Sequence, residues 1–285
     1  MALYNLKDVL TDAKKKRYAV IAAVAFNFDS AQAIVEAAEE KKSPVILLMG
    51  EGIFKYLNFE KLVQPIILLS EEVKAPVVVH LDHGKDFKIV MECIRAGFTS
   101  VMFDGSREKI DKNIEITKGI IEVAHTLDIS VEGEVGVVGG LESFNEEIKE
   151  IKKEQFTKIE DAVRFARETK VDALAIAVGT IHGVFKSEPN IDFERISNIR
   201  NKIETPLVLH GGSGLSDEDF KKAIKSGITK INYFTNLLID ARNEVKNIIN
   251  NNEDINYMEI NYRAMRAIKN GIKVKMDVFG SSGKG

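Results

Sequence analysis

The chain has a single cysteine, Cys93, which excludes an internal disulfide and fits a reducing compartment. It falls in the amphipathic stretch 86–96, where packing is the ordinary role of a free thiol. An excess of either charge is missing too. The formal net charge of −3 leaves no basic footprint, so a nucleic-acid partner is not expected. Long apolar runs are also absent: the longest, such as residues 18–26, are far shorter than the roughly 20 residues that cross a bilayer. The opening MALYNLKDVL lacks the basic-then-apolar layout of a secretory signal, so the expectation is a cytoplasmic protein with no membrane partner.

Short β-branched runs alternate with longer amphipathic segments along almost the whole chain. Strands are expected at 20–26, 44–49, 76–81, 100–103, 130–135, 173–178, 206–210 and 229–232. Helical patterns lie between them, for example at 30–41, 87–96, 110–127, 159–169 and 217–226. Such alternation implies parallel strands joined by crossovers. About eight units in roughly 250 residues is the size of a closed α/β barrel, the (β/α)8 TIM barrel. An open doubly wound sheet would carry a glycine fingerprint after its first strand, and AFNFDS (25–30) has none. No linker marks a boundary, so residues 1–285 read as one domain. A long connection at 136–158, opened by Gly136, Gly139 and Gly140, reads as a lid or a spacer. An extra C-terminal helix is expected within 261–285.

In this barrel, chemistry belongs at the carboxyl ends of the strands. Four of the five histidines fall there: His80 and His83 in HLDHG (80–84), His182 after the sixth strand and His210 at the end of the seventh. Asp82 and His83 would point to opposite faces of a continuing strand, so the chain is expected to turn there. Three strands delivering imidazoles to one rim point to a metal, and imidazole suits zinc and other late divalent ions. Asp104 and Glu134 are acidic neighbours on the same rim, as ligands of a second or alternate position or as loop anchors.

The other side of the rim suits an anion. HGGSG (210–214) follows the seventh strand and NYFT (232–235) the eighth, where this barrel commonly binds phosphate. Gly211 and Gly212 would let backbone N–H groups approach, while Ser213 and Thr235 would donate hydroxyls. Gly183 and the cation Lys186, in HGVFK (182–186), lie beside the same pocket or, for the lysine, in solvent. A metal next to a phosphate pocket suits a phosphorylated carbonyl compound, with Asp82 placed to move a hydroxyl proton. A Schiff-base mechanism would need a buried barrel-strand lysine; the sixth strand has none, and Lys230 near the eighth strand's end is set aside. Phosphosugar binding without catalysis, or zinc hydrolysis, would be the rival readings of the same rim.

These stretches together resemble the class II, metal-dependent ketose-bisphosphate aldolases of the fructose and tagatose branch. They are AFN (25–27), HLDHG (80–84), SVMFDGS (100–106), VEGEVG (131–136), AVGTIHGVFK (177–186), LHGGSG (209–214), KIN (230–232) and FGSSGKG (279–285). They run in the family's order over nearly the whole chain. The resemblance implies an aldehyde-lyase of carbohydrate metabolism that releases dihydroxyacetone phosphate from a sugar phosphate. It implies zinc on His83, His182 and His210, with Asp104 and Glu134 as an alternate position; a second divalent ion and a monovalent cation would be further occupants. Asp82 would be the proton donor, and Glu142, in the lid, would exchange the carbon-bound proton. Asn27, Gly183, Lys186, Gly211, Gly212, Ser213, Asn232, Tyr233, Phe234 and Thr235 would hold the substrate, with His80 behind the ligands. A homodimer or homotetramer is implied as well. The chain departs from the family at the far end of the substrate, with Gly50 where a serine is usual, no Asp-Pro-Arg before the last helix, and Phe234 where fructose-type enzymes often carry aspartate. Fructose, tagatose and a ketose carrying one phosphate therefore all stay open.

Overall fold

A computed structural model describes residues 3–54, 59–140, 153–183, 189–252 and 254–285. The strands are β1 (Val20–Val24), β2 (Val45–Gly50), β3 (Val77–Gly84), β4 (Ser100–Phe103), β5 (Ser130–Val135), β6 (Gly139–Gly140), β7 (Ala173–Ile176), β8 (Ile181–His182), β9 (Leu207–Leu209) and β10 (Ile228–Asn232). All but β6 and β8 close a barrel in the order β1-β10-β9-β7-β5-β4-β3-β2, and every neighbouring pair in it is parallel. The expected TIM barrel is therefore what the chain builds. The extra pair, β6 with β8, lies outside that ring.

The helices are α1 (Leu6–Lys16), α2 (Phe28–Lys41), α3 (Glu51–Phe54), α4 (Phe59–Glu71), α5 (Phe87–Ala96) and α6 (Ile110–Thr126). They continue with α7 (Ile159–Thr169), α8 (Phe193–Arg200), α9 (Asp217–Ser226), α10 (Thr235–Asn251) and α11 (Tyr257–Phe279). Local chemistry sets several of their ends. Asn27 accepts from Ser30 N at 2.8 Å and Ser30 reciprocates, a capping box that starts α2 two residues before the expected position. Asn256 caps α11 through Glu259 N at 3.0 Å, and Gly280 ends it in the left-handed region. That helix begins four residues before the expected segment, and Lys269 and Lys273 pair with Glu36 and Glu40 of α2. No helix among the described residues is long and apolar enough to cross a membrane.

The core has two parts, because barrel side chains alternate between the outer ring and the interior. The larger part fills the space between strands and helices. The smaller one sits in the barrel floor, where Val20, Ala22, Ile46, Leu48, Val78, Ala173, Ala175 and Val208 meet Leu6, Val9, Leu10 and Ala13 of α1. Helix α1 thus lies across the amino-terminal mouth, and Lys7 N donates to Ser130 Oγ at 3.0 Å to hold it there. Above the floor the interior turns polar, with His80, Ser100, Glu132 and Lys230 all buried.

Strand β3 resolves the puzzle of HLDHG differently from the expected turn. The strand does not stop at Leu81 but runs on to Gly84. Its register against β4 slips between Leu81 and Gly84, and His83 adopts φ 50°. The bulge and the left-handed residue rotate His83, so that both it and Asp82 reach the rim without ending the strand. Gly84 permits this, since a Cβ there would lie 2.7 Å from Met102 O.

Candidate metal centre and anion cradle

His83 arrives from the β3 bulge, His182 from β8 and His210 from the residue after β9. Their ring centroids are 5.0 Å (83–182), 4.7 Å (83–210) and 5.8 Å (182–210) apart. One nitrogen from each lies within 4.8 Å of the others. His182 reaches the rim by an indirect route: it belongs to the two-stranded pair with Gly140, not to a barrel strand. Gly140 is held at φ 85°, and a Cβ there would sit 2.2 Å from His182 O. A second cluster joins His83 to Asp104 and Glu134, again within 4.8 Å. His83 Nδ1 is 2.9 Å from Asp104 Oδ2 and 3.9 Å from Glu134 Oε2. Asp104 is also fixed by Ser106, whose N and Oγ donate to Oδ1 at 3.1 and 2.6 Å.

The donor set fits a divalent ion. His182 Nε2, His210 Nδ1 and Glu134 Oε2 are buried without a well-formed hydrogen bond among the described residues, the last two facing each other at 3.4 Å. Leaving such groups bare in a protein interior is costly, and metal coordination satisfies them together. Burial, helped by the neighbouring His83 and His210, pushes His182 down to about 3, which leaves its ring neutral with a lone pair to give. His210 is shifted upward: burial opposes the charge, but Glu132 and the nearby Glu134 outweigh it. For Asp104, burial acts upward and the hydrogen bond and charge of His83 bring it well below the carboxylate range.

Asp82 is buried, and Asn232 Nδ2 donates to its Oδ1 at 3.0 Å, tying β10 to β3 across the barrel mouth. Burial would raise its pKa, yet His83, His210 and Lys230 together hold it below its ordinary value. Beside it, Gly50 pairs in register with Asp82; a Cβ there would meet only Asp82 O at 3.7 Å and Asp82 Cβ at 3.9 Å.

The loops after β9 and β10 are joined directly to each other, and their residues divide the work differently from the expectation. Gly212 N is committed to Asn232 O at 3.2 Å, so its N–H does not face an anion. Its lack of a side chain is what the site uses, since a Cβ would lie 2.8 Å from both Asn232 O and Ile231 Cγ2. Gly211 (φ 65°) and Gly183 (φ 98°) occupy left-handed turns. Ser213 Oγ accepts from Phe234 N at 3.1 Å and locks the two loops together. Phe234 caps α10 with no side-chain hydrogen bond, and Leu237 N is taken by Phe234 O at 2.9 Å, so in the first turn the N–H groups of Thr235 and Asn236 stay available to an anion. Phe234 itself packs 6.4 Å from Phe26. Tyr233 is a correction: its ring lies against Phe220, in the helical layer, and only its backbone belongs to the loop. Asn27 uses the Oδ1 of its side chain as the cap of α2. Glu142 and Lys186 lie outside the described residues. Gly211→Ala is expected to destabilise the fold by about 2 kcal/mol through its left-handed φ alone. A Cβ only 2.4 Å from Ile181 O would also displace the strand that carries His182. A thermal melt and the KM for substrate would record both effects.

Two residues that matter here escape a reading of motifs. Glu132 precedes Glu134 by two, so period-two alternation aims both into the barrel; VEGEVG carried that signal. It accepts from His210 Nε2 at 2.9 Å and from Lys230 Nζ at 2.8 Å. Burial works against its charge, but Lys230 and the bond from His210 hold it well below the carboxylate range. Lys230 is the second residue: it is a fully buried barrel-strand lysine, contrary to its dismissal as a strand-end residue. Its ammonium is ion-paired below the rim, which disqualifies it as a nucleophile. His80 lies behind the ligands as expected, with Nδ1 2.8 Å from Ser100 Oγ; burial, with the charge of Lys230, lowers it to about 3.

Known proteins share this architecture. The profile of the family described as fructose-bisphosphate aldolase class-II matches residues 4–284. A sulfofructosephosphate aldolase of Alkalicoccus urumqiensis is 39% identical over 100% of this chain and 99% of its own length. A 6-phospho-5-dehydro-2-deoxy-D-gluconate aldolase of Halalkalibacterium halodurans is 38% identical over 100% and 98%. A fructose-bisphosphate aldolase of Staphylococcus epidermidis is 38% identical over 100% and 99%. Among solved structures, the YdjI aldolase of Escherichia coli K12 superposes with a TM-score of 0.88 at 33% identity, covering 99% of both chains.

Proposed function

Because the chain belongs to the class II fructose-bisphosphate aldolase family and is an aldolase, a lyase, we propose that it cleaves a ketose phosphate whose far end carries a second anionic group. Fructose and tagatose 1,6-bisphosphate head the candidates, with dihydroxyacetone phosphate and glyceraldehyde 3-phosphate as products. The observation that carries the reading is the convergence of His83, His182 and His210 beside the cradle built after β9 and β10. The three named relatives stand at nearly equal identity, so identity does not choose among their substrates. Their names share one phosphate and differ in the other anion: sulfonate, carboxylate or a second phosphate. Gly50 brings no hydroxyl where the family usually has a serine for the far phosphate, and this supports a far-end anion other than phosphate as the second reading.

A divalent ion held by His83, His182 and His210, with zinc the proposed occupant, would polarise the substrate carbonyl and favour the negative charge that develops on its oxygen. The remaining work falls to the chain. Gly211, Ser213 and the start of α10 hold the phosphate and so fix the carbonyl half in place. Asp82 takes the proton of the hydroxyl on the far side of the scissile carbon–carbon bond; as that bond breaks, the aldehyde forms and the bonding electrons pass to the carbonyl half. Asn232 keeps Oδ1 of Asp82 occupied, leaving Oδ2 to face that proton. Glu142 is the proposed source of the proton that restores the carbon. Cleavage rates for both bisphosphates, fructose 1-phosphate, sulfofructose phosphate and the phosphodehydrogluconate test the reading. A preference for a dianionic-ended substrate over fructose 1-phosphate is expected, and fastest turnover of the monophosphate would refute it.

A further inference from the structure

Beneath the rim, three fully buried groups from three strands form one chain: Lys230 Nζ, the Glu132 carboxylate and His210. Each carboxylate oxygen has its own partner, Oε1 taking His210 Nε2 at 2.9 Å and Oε2 taking Lys230 Nζ at 2.8 Å. We propose that Glu132 is a positioning residue that selects the tautomer and aim of His210, and that Lys230 is there to keep Glu132 in its place. The inference rests on the reading of the rim imidazoles as metal ligands.

The two contacts of the Glu132 carboxylate decide where the imidazole proton lies. A neutral imidazole carries one N–H, and an ionised carboxylate only accepts. The contact at Nε2 therefore places the proton on Nε2 and turns the lone pair of Nδ1 toward His83 and His182. Nδ1 has no well-formed hydrogen bond among the described residues; its acidic neighbour is Glu134 Oε2 at 3.4 Å, itself one of the atoms grouped around the same rim. The opposite tautomer would set a lone pair against the carboxylate and present an N–H to the ion. Metal-bound histidines commonly lean on a carboxylate in this way. A carboxylate inside a barrel is itself costly without a counter-charge, and barrel interiors are normally filled by branched apolar side chains. Strands β5 and β10 are not neighbours in the ring, since β7 and β9 stand between them, so the pair spans the interior instead of bridging a ladder. That reach, 98 residues in sequence, is hard to account for as floor packing, which the apolar layer below already supplies.

Two double variants test this while leaving no unbalanced buried charge. Glu132→Leu with Lys230→Met removes the acceptor, whereas Glu132→Gln with Lys230→Met keeps a carbonyl oxygen for His210 Nε2. The readouts are zinc affinity, by competition with a chromophoric chelator, and the visible spectrum of the cobalt-substituted protein. The leucine double is expected to bind zinc about 10- to 100-fold more weakly than wild type, and the glutamine double to recover most of that loss. Melting of the metal-free forms is expected to be alike for the two doubles, which separates aim from stability. Equal zinc affinity in the two doubles, with wild type binding zinc, overturns this inference alone. A wild-type chain that takes up no zinc overturns the metal reading beneath it.

Discussion

Removing divalent metal with a strong chelator is expected to cut ketose phosphate cleavage by about a thousandfold or more, with zinc restoring it. The magnitude follows from the several kcal/mol that a polarising cation contributes where charge develops, at about 1.4 kcal/mol per tenfold in rate. Among the described residues inside this barrel nothing else stands ready to replace it. The other cation in the interior, Lys230, is one layer down and already paired with Glu132. His182→Ala should reproduce the loss in part without any chelator. Its ring is one of the three that converge, and it hangs on the short β6–β8 pair and not on the barrel wall. The fold should therefore survive the substitution, as judged by circular dichroism, while bound zinc and cleavage both fall. A metal-stripped preparation that cleaves at the untreated rate would rule out the proposed chemistry.

Asp82→Asn carries the second large effect. The substitution keeps the size of the side chain and an oxygen that accepts from Asn232 Nδ2, so the link between β3 and β10 persists. What it removes is the ability to take a hydroxyl proton. Positioned acid–base groups contribute roughly 10²–10⁴ in rate, and kcat should fall by about that factor while KM moves little. The proposed phosphate cradle is built from other residues, so a large rise in KM with kcat unchanged would show that Asp82 grips substrate instead of moving a proton. Steady-state kinetics on the best substrate of the panel, at saturating zinc, distinguishes these outcomes.

Much of this site could be read from the primary structure because barrel chemistry follows strand order. Once HLDHG, HGGSG and NYFT fall at the ends of β-branched runs, the rim they share follows from topology. The residues that escaped did so for physical reasons. Alternation in a regular strand says that Asp82 and His83 must diverge, and no local pattern announced the bulge and positive φ that let both converge. Lys230 looked like a strand-end residue because its partner lies 98 positions away, and only closure of the barrel brings Glu132 to it. Tyr233 sat inside a loop motif, yet its ring found a larger apolar partner in Phe220 than any substrate could offer. Asn27 matched a motif as well, and an asparagine followed three residues later by Ser30 is also a helix start, a second use that occupies its Oδ1. Helix α1 went unforeseen: it is the seal on an opening that exists only when the ring of strands is complete.

That seal has a consequence for traffic. With Leu6, Val9, Leu10 and Ala13 wedged beneath Val20, Ile46, Val78 and Val208, the barrel is a blind well, shut at its base. Ions, solvent and sugar can approach Asp82 and the imidazoles only from above. Both fragments of a cleaved substrate must leave by the way the intact molecule came in. The aldehyde, which the cradle does not grip, should depart first, and the phosphate-anchored half should follow.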